Sequence, residues 1–242
     1  MWNEEYKINW ALKEDDELSM GSKRNDDYYD NVANRIIENL NISSNDNILD
    51  YGCSNGLLTN KIAKSTKSII GIDFVPKLIE RANVIAKEKN LTNVSYYSGD
   101  LTDEHNLNLI NIDKLYLHSV IHNLDYYENF EKLVLNLLKV LDKEKKISIL
   151  FADVPNTRLF KQFSKNLPFK QKLIYSCDRF LSPKIFNILL TIRNRFRKGL
   201  MNNTLWYSKE YISNVFGDEF IVEEVSFGTE KSHRSDFLIY KK

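Results

Sequence analysis

Along residues 26–146 the apolar positions switch repeatedly between two patterns: recurrence every three or four residues, and short continuous runs. Tyr29, Val32, Ala33, Ile36, Ile37 and Leu40 share one face of a helix, with Asp26 or Asp27 placed to cap it. Asn47-Ile48-Leu49-Asp50 then reads as a buried strand running into a glycine-containing turn, and Leu57, Leu58, Ile62 and Ala63 mark the helix behind it. The unit recurs. Residues 68–73 form a second strand, and Pro76 opens a helix carrying Leu78, Ile79, Ala82, Ile85 and Ala86. Third and fourth strands fall at 94–97 and 114–118; Phe130, Leu133, Val134, Leu137, Leu138 and Leu141 trace another helix, and 146–151 is a fifth strand. This alternation predicts a parallel sheet with helices on both faces.

Over residues 155–205 the rhythm breaks into helical, basic and aromatic sequence, after which 220–225 and 236–240 read as a closing antiparallel pair. The expected organisation is an N-terminal cap at 1–25, a core at 26–154, a helical insertion at 155–205 and the closing strands at 206–242. Trp2, Tyr6 and Trp10 precede an acidic run in the first of these, which suits a cap over a bound ligand.

At 242 residues, 43% hydrophobic and 28% charged, the chain is an ordinary globular sequence with no apolar run long enough to span a bilayer. Its acidic opening lacks the basic-then-apolar pattern of a secretion signal, so a cytoplasmic location is expected. Cys53 and Cys177 make neither a disulfide framework nor a metal site, and no metal is expected. The formal net charge of +1 conceals a strong polarity. Residues 1–30 carry nine acids and four bases, whereas 158–200 carry eleven bases opposed only by Asp178. The basic segment predicts contact with phosphorylated or otherwise anionic molecules. Its interleaved Phe160, Phe163, Phe169, Phe180, Phe186, Leu189, Leu190 and Phe196 equally suit amphipathic helices resting on a membrane surface or a lipid-linked substrate, or a solvated lid.

The sharpest bend lies at Asp50-Tyr51-Gly52-Cys53-Ser54-Asn55-Gly56, where small residues let backbone amides approach a ligand beside a helix N-terminus. Its spacing differs from the Gly-x-Gly-x-x-Gly of a dinucleotide loop, and the acid two positions before the first glycine suits a cationic ligand group. With these residues the chain resembles the class I S-adenosylmethionine-dependent methyltransferases, whose first motif commonly reads acid-x-Gly-x-Gly-x-Gly; Ser54 stands at the middle glycine. The resemblance covers roughly residues 26–155 and resumes weakly at 206–240. It implies a doubly wound, mostly parallel seven-stranded α/β sheet with an antiparallel last strand, binding S-adenosylmethionine and releasing S-adenosylhomocysteine.

It further implies a cofactor site of Asp50, Gly52, Cys53, Ser54 and Gly56, with Asp73 receiving the ribose hydroxyls, Phe74 packing on adenine, and Asp100 with Leu101 at the adenine amino group. The fourth strand runs into His118-Ser119-Val120-Ile121-His122-Asn123, and an imidazole at this end suits removal of a proton from a methyl acceptor. His122 is the first candidate base, His118 is expected to line the cofactor pocket, and His233 is a third candidate. Tyr28, Trp206, Tyr207 and Arg234 are expected at the substrate. The activity implied is O-methylation of a small anionic or phosphorylated molecule, glycan or glycan precursor. Nucleic acid is not expected, because Leu117-His118-Ser119-Val120 lacks the Asn/Asp-Pro-Pro-aromatic motif of amino-directed nucleic-acid methyltransferases. A non-catalytic S-adenosylmethionine-binding partner protein and, on weaker grounds, an NAD-dependent oxidoreductase are the alternatives.

Overall fold

The computed structural model describes residues 25–100, 111–124, 127–140, 147–159, 165, 205–227 and 233–242. Nearly all of the expected cap at 1–25 and of the insertion at 155–205 therefore lies outside the described residues, as does Leu101.

Seven strands form one sheet in the order β3-β2-β1-β4-β5-β7-β6. They are β1 (Asn47–Tyr51), β2 (Ser68–Asp73), β3 (Val94–Ser98), β4 (Lys114–His118), β5 (Ser148–Pro155), β6 (Phe220–Phe227) and β7 (Arg234–Lys241). β1 to β5 pair in parallel, and β7 runs antiparallel between β5 and β6. The central strands are buried along most of their length because helices cover both faces, which is why they read as continuous apolar runs. On one face lie α1 (Asp26–Leu40) and α2 (Leu57–Ile62), packing Val32, Ile36 and Ile62 against Ile48, Tyr116 and Leu150. On the other lie α4 (Tyr127–Val140) and α5 (Lys209–Phe216), whose Phe130, Leu133, Val134, Leu137 and Ile212 meet Leu115, Leu117 and Phe151. α3 (Pro76–Glu88) closes over β2 and β3. Burial of a side chain such as Phe130, fully enclosed here, contributes about 1.5–3 kcal/mol. No helix among the described residues is long and apolar enough to cross a membrane.

Two local features depart from the sequence-based expectation. The cap of α1 is Asn25, whose extended backbone lets its side chain accept from Tyr28 N at 3.0 Å; Asp26 and Asp27 occupy the first helical turn instead. β5 continues past residue 151 to Pro155 and carries a bulge, so that Ala152 and Asp153 stand against Asp236 alone in the pairing with β7. Asp153 sits in the left-handed region at φ 57°, and so does Ser119, just after β4. Strain of this kind on non-glycine residues gathers at functional sites.

Candidate functional site

The strand order reverses between β1 and β4, and in open α/β sheets the crevice beyond the carboxyl ends at such a point receives ligands. Two loops face each other there. The first follows β1: Gly52 N and Cys53 N both donate to Ile72 O, at 2.7 and 3.0 Å, which pins the loop to β2. Gly52 has φ 97°, and a Cβ there would lie 2.4 Å from Val120 Cγ2 of the opposite loop, so only glycine permits this approach. Ser54 adopts φ 52°, the conformation a glycine would take without cost, and its N–H donates to Asp73 Oδ2 at 2.9 Å. The serine is thus accommodated through a bond to the acid at the end of β2. Asp73 also accepts from Val75 N at 3.0 Å, and burial raises its pKa to about 6.

Asp50 is buried beneath the loop. Its Oδ2 accepts from Thr59 Oγ1 and Tyr116 Oη, both at 2.6 Å, and burial pushes its pKa to about 7. This oxygen ties β1 to α2 and β4. Cys53 is buried with its thiol directed to Ser54 O and its pKa well up, which leaves it neutral. Asp100 is buried just after β3, where Gly99 N donates to Asp73 O at 2.9 Å; Phe74 is partly buried against the core. Asp50, Asp73 and Asp100 thus stand at the ends of three adjacent strands.

Across the crevice, the ends of β4, β5 and β7 hold a second polar cluster. Arg234 Nη1 donates to Asp153 Oδ2 at 2.7 Å and to Asp153 O at 2.8 Å, and Ser119 Oγ donates to the same carboxylate oxygen. The pair is buried, with 8% of each side chain exposed. Burial works to raise the Asp153 carboxyl, but the Arg234 guanidinium and the Ser119 hydroxyl outweigh it and hold the carboxyl below its ordinary value. His122 lies in a 3-10 turn, Ile121–Asn123, with Nε2 at 3.4 Å from both Nη1 and Nη2 of Arg234. A guanidinium only donates, so Nε2 presents its lone pair and the ring hydrogen belongs to Nδ1. His118, at the end of β4, is buried, and burial depresses its pKa to about 4.

The segment at 205–207 lies over this cluster. Leu205 N donates to His122 O at 3.1 Å, Tyr127 Oη donates to Trp206 O at 2.7 Å, and the Trp206 ring rests 5.5 Å from that of His233. Tyr207 is fully buried in the core with its hydroxyl donating to Ile121 O at 2.8 Å, a packing position rather than an open one. Tyr28, partly buried at the start of α1, acts electrostatically on Arg234. The structure thus gathers His118, His122, Arg234, Tyr28, Trp206 and His233 around the ends of β4 and β7. Asp153 escapes the sequence reading: the signal that located the other acids is a carboxylate closing an apolar run, whereas Asp153 lies within β5 and turns into the site at the bulge. Arg35 and Asp236, which pair at 2.9 Å beside it, carry no such signal.

The small-residue loop, its clamp to Asp73 and the three strand-end acids fit a cofactor with a cationic centre and ribose hydroxyls. A family model described as "Methyltransferase domain" matches residues 42–202, more than half of the chain. Among curated proteins, a 23S rRNA (uracil(1939)-C(5))-methyltransferase of Francisella tularensis subsp. novicida is 38% identical over 77 residues, which cover 32% of this chain and 17% of that protein. The chain thus matches under a fifth of the length of that relative. Among solved structures, phosphoethanolamine N-methyltransferase 1 of Haemonchus contortus, in complex with phosphoethanolamine and S-adenosylhomocysteine, aligns with a TM-score of 0.63 at 15% identity, covering 98% of this chain and 48% of the other. Magnesium protoporphyrin IX methyltransferase of Synechocystis PCC 6803, with bound SAH, aligns with a TM-score of 0.58 at 14% identity over 90% and 83%. At these identities the structural likenesses speak to the fold.

Proposed function

The chain belongs to the class I S-adenosylmethionine-dependent methyltransferases, and on that premise we propose that it methylates an oxygen of a small anionic or phosphorylated molecule, glycan or glycan precursor. The observation that carries this reading is the opposition, across one switch-point crevice, of the Asp73-clamped loop and the Asp153–Arg234–His122 cluster. The first half suits the cofactor; the second offers polar groups to an acceptor.

In this reading Gly52, Ser54 and Gly56 give the cofactor close access to the backbone, Asp73 receives its ribose hydroxyls, and Phe74 and Asp100 flank the adenine. The cofactor supplies a methyl group already activated on a sulfonium. What remains for the protein is to align the acceptor and exclude water, and alignment alone is worth several orders of magnitude in rate. His122, whose Nε2 faces Arg234, serves best as a neutral hydrogen-bonding group; taking a proton on Nε2 would set that proton against a guanidinium that cannot lose its own. Trp206, with the His233 ring tilted against it at 5.5 Å, covers the acceptor side. The composition of residues 158–200, eleven bases against a single acid, supports an acceptor that carries negative charge.

An RNA acceptor is a second reading, favoured by the 77-residue match to the rRNA methyltransferase. Calorimetry with S-adenosylmethionine, S-adenosylhomocysteine and NAD on the wild type and Asp73→Ala, followed by an S-adenosylhomocysteine-release assay over phosphorylated sugars, simple glycans and an rRNA fragment, tests the proposal. Binding of the first two ligands, lost in the variant, with turnover on a sugar or phosphorylated acceptor is expected. Preference for NAD overturns the cofactor assignment, turnover on RNA alone overturns the acceptor class, and binding without turnover on any acceptor supports a partner protein.

A further inference from the structure

Two buried side chains in the second cluster have hydrogen-bonding atoms that no described residue satisfies. His118 is 5% exposed, and neither Nδ1 nor Nε2 has a partner. Arg234 is 7% exposed; its Nη1 and Nη2 are directed to Asp153 and His122, and its Nε has no partner. Buried polar groups are almost always satisfied, and leaving three such atoms bare within one cluster is costly unless a ligand completes them.

The charges around the cluster decide what kind of ligand that is. The charged groups acting on His118 are Asp153, Arg35, Asp236 and Arg234. They are paired two by two, Arg234 with Asp153 at 2.7 Å and Arg35 with Asp236 at 2.9 Å. Among the described residues the two ion pairs leave no net charge, so an oxyanion entering this corner would lose its hydration without meeting an unpaired cation of theirs. Nor does the corner supply the net negative charge that would hold His118 as imidazolium; burial keeps it neutral, with one N–H and one lone pair. Arg234 Nε adds a second N–H. The complement is an uncharged group that offers two acceptor oxygens and one O–H.

We propose that His118 and Arg234 form a subsite for an uncharged hydroxyl-bearing part of the methyl acceptor, of the vicinal-diol or hydroxy-carbonyl type. Arg234 Nε and one ring nitrogen of His118 donate to ligand oxygens, and the other ring nitrogen accepts from a ligand hydroxyl. Calling this ligand the methyl acceptor rests on the methyltransferase reading above; the subsite's chemistry does not. It also divides the acceptor in two, with the charge kept away from this corner.

The test is ¹⁵N NMR of the imidazole nitrogens in the full chain saturated with S-adenosylhomocysteine, titrated separately with methyl α-D-glucopyranoside, catechol and inorganic phosphate. His118→Gln and His118→Phe identify the resonances, and the wild-type titration stands even where one variant fails to fold. A saturable shift of the His118 nitrogens with a hydroxylated probe, and none with phosphate, is expected. A shift with phosphate, or no response to either hydroxylated probe, overturns the subsite. The same sample reports the cofactor separately: S-adenosylhomocysteine that leaves the Ser54 and Val75 amides unmoved counts against the methyltransferase reading, whatever the imidazoles do.

Discussion

Removing Asp153 should damage the protein more than removing Arg234, and the difference should widen in mild acid. The two side chains form a buried pair with a 2.7 Å contact and 8% exposure on each side. Asp153→Ala strands a guanidinium that, among the described residues, keeps only the backbone carbonyl of position 153 at 2.8 Å and the 3.4 Å contacts to His122, and arginine cannot shed its charge. Breaking a buried pair in this way costs about 3–5 kcal/mol, which for a domain of this size lowers Tm by roughly 6–20 °C. Arg234→Met strands a carboxylate instead, and a carboxylate has an escape: it keeps the Ser119 hydroxyl and can take up a proton. In the wild type the Asp153 pKa is held below the ordinary carboxylate value, so its stabilisation is present above about pH 4 and lost as pH falls through the folded value. Without Arg234, burial raises that pKa above the unfolded one. The sign then reverses, and Arg234→Met gains stability relative to wild type as pH is lowered from 8 to 5, whereas Asp153→Ala shows no such gain. Urea unfolding at pH 8, 6.5 and 5, with midpoints and slopes compared, reads both effects. An Asp153→Ala cost below about 1 kcal/mol would mean the pair is screened by solvent, and an Arg234→Met curve parallel to wild type across pH would refute the argument from protonation.

Four further outcomes follow from the cofactor half. Since burial raises Asp73 to about 6, S-adenosylhomocysteine affinity should fall as pH drops through that value, and Asp73→Asn should flatten the profile and weaken binding by about 10–100-fold, the worth of hydrogen bonds to a charged group; calorimetry from pH 8 to 5 checks both. The unliganded protein should move the other way. Asp73 and Asp50 both have raised values, so the stability they contribute is full below about pH 4 and is lost as pH rises through about 6 and about 7, which thermal unfolding without ligand records. Gly56→Ala should cost at least about 1–2 kcal/mol from its φ of 75° alone, and more because the new Cβ would meet Tyr96 Oη at 2.4 Å; urea titration measures the loss. Tyr116→Phe removes the 2.6 Å donor to Asp50 and should push that carboxyl's pKa above about 7, visible as a displaced ¹³C titration of the Asp50 side chain.

Most of the sheet was legible because its signals are local. Buried parallel strands between amphipathic helices leave short apolar runs, and every strand read from the sequence is present, with ends displaced by a residue or two except at β5, which runs four residues further. The acids at 50, 73 and 100 were legible for the same reason: each closes such a run. What escaped depends on contacts between distant segments. That Asp153 turns into the site follows from one extra residue in β5 against β7, and a bulge leaves no mark on hydrophobic periodicity. The choice of Asn25 over Asp26 as the cap was a one-residue question, decided by where the backbone turns extended. The pairing of Arg35 on α1 with Asp236 on β7 joins two elements that meet only in the folded sheet.

The antiparallel seventh strand explains why the second half of the site exists. A parallel strand would bring its last residue to the crevice; β7 runs the other way and brings its first, so Arg234 arrives beside the ends of β4 and β5. Asp236, two residues on and on the same face, then receives the Asp153 N–H at 2.8 Å, the bond that holds the bulge. A buried pair such as Asp153–Arg234 contributes little net stability, because the cost of desolvating two charges offsets most of their attraction. Its effect is geometric: with Arg35–Asp236 it fixes a corner whose charges cancel, and against that neutral background the hydrogen-bonding atoms of His118 and Arg234 discriminate by shape and donor pattern rather than by charge.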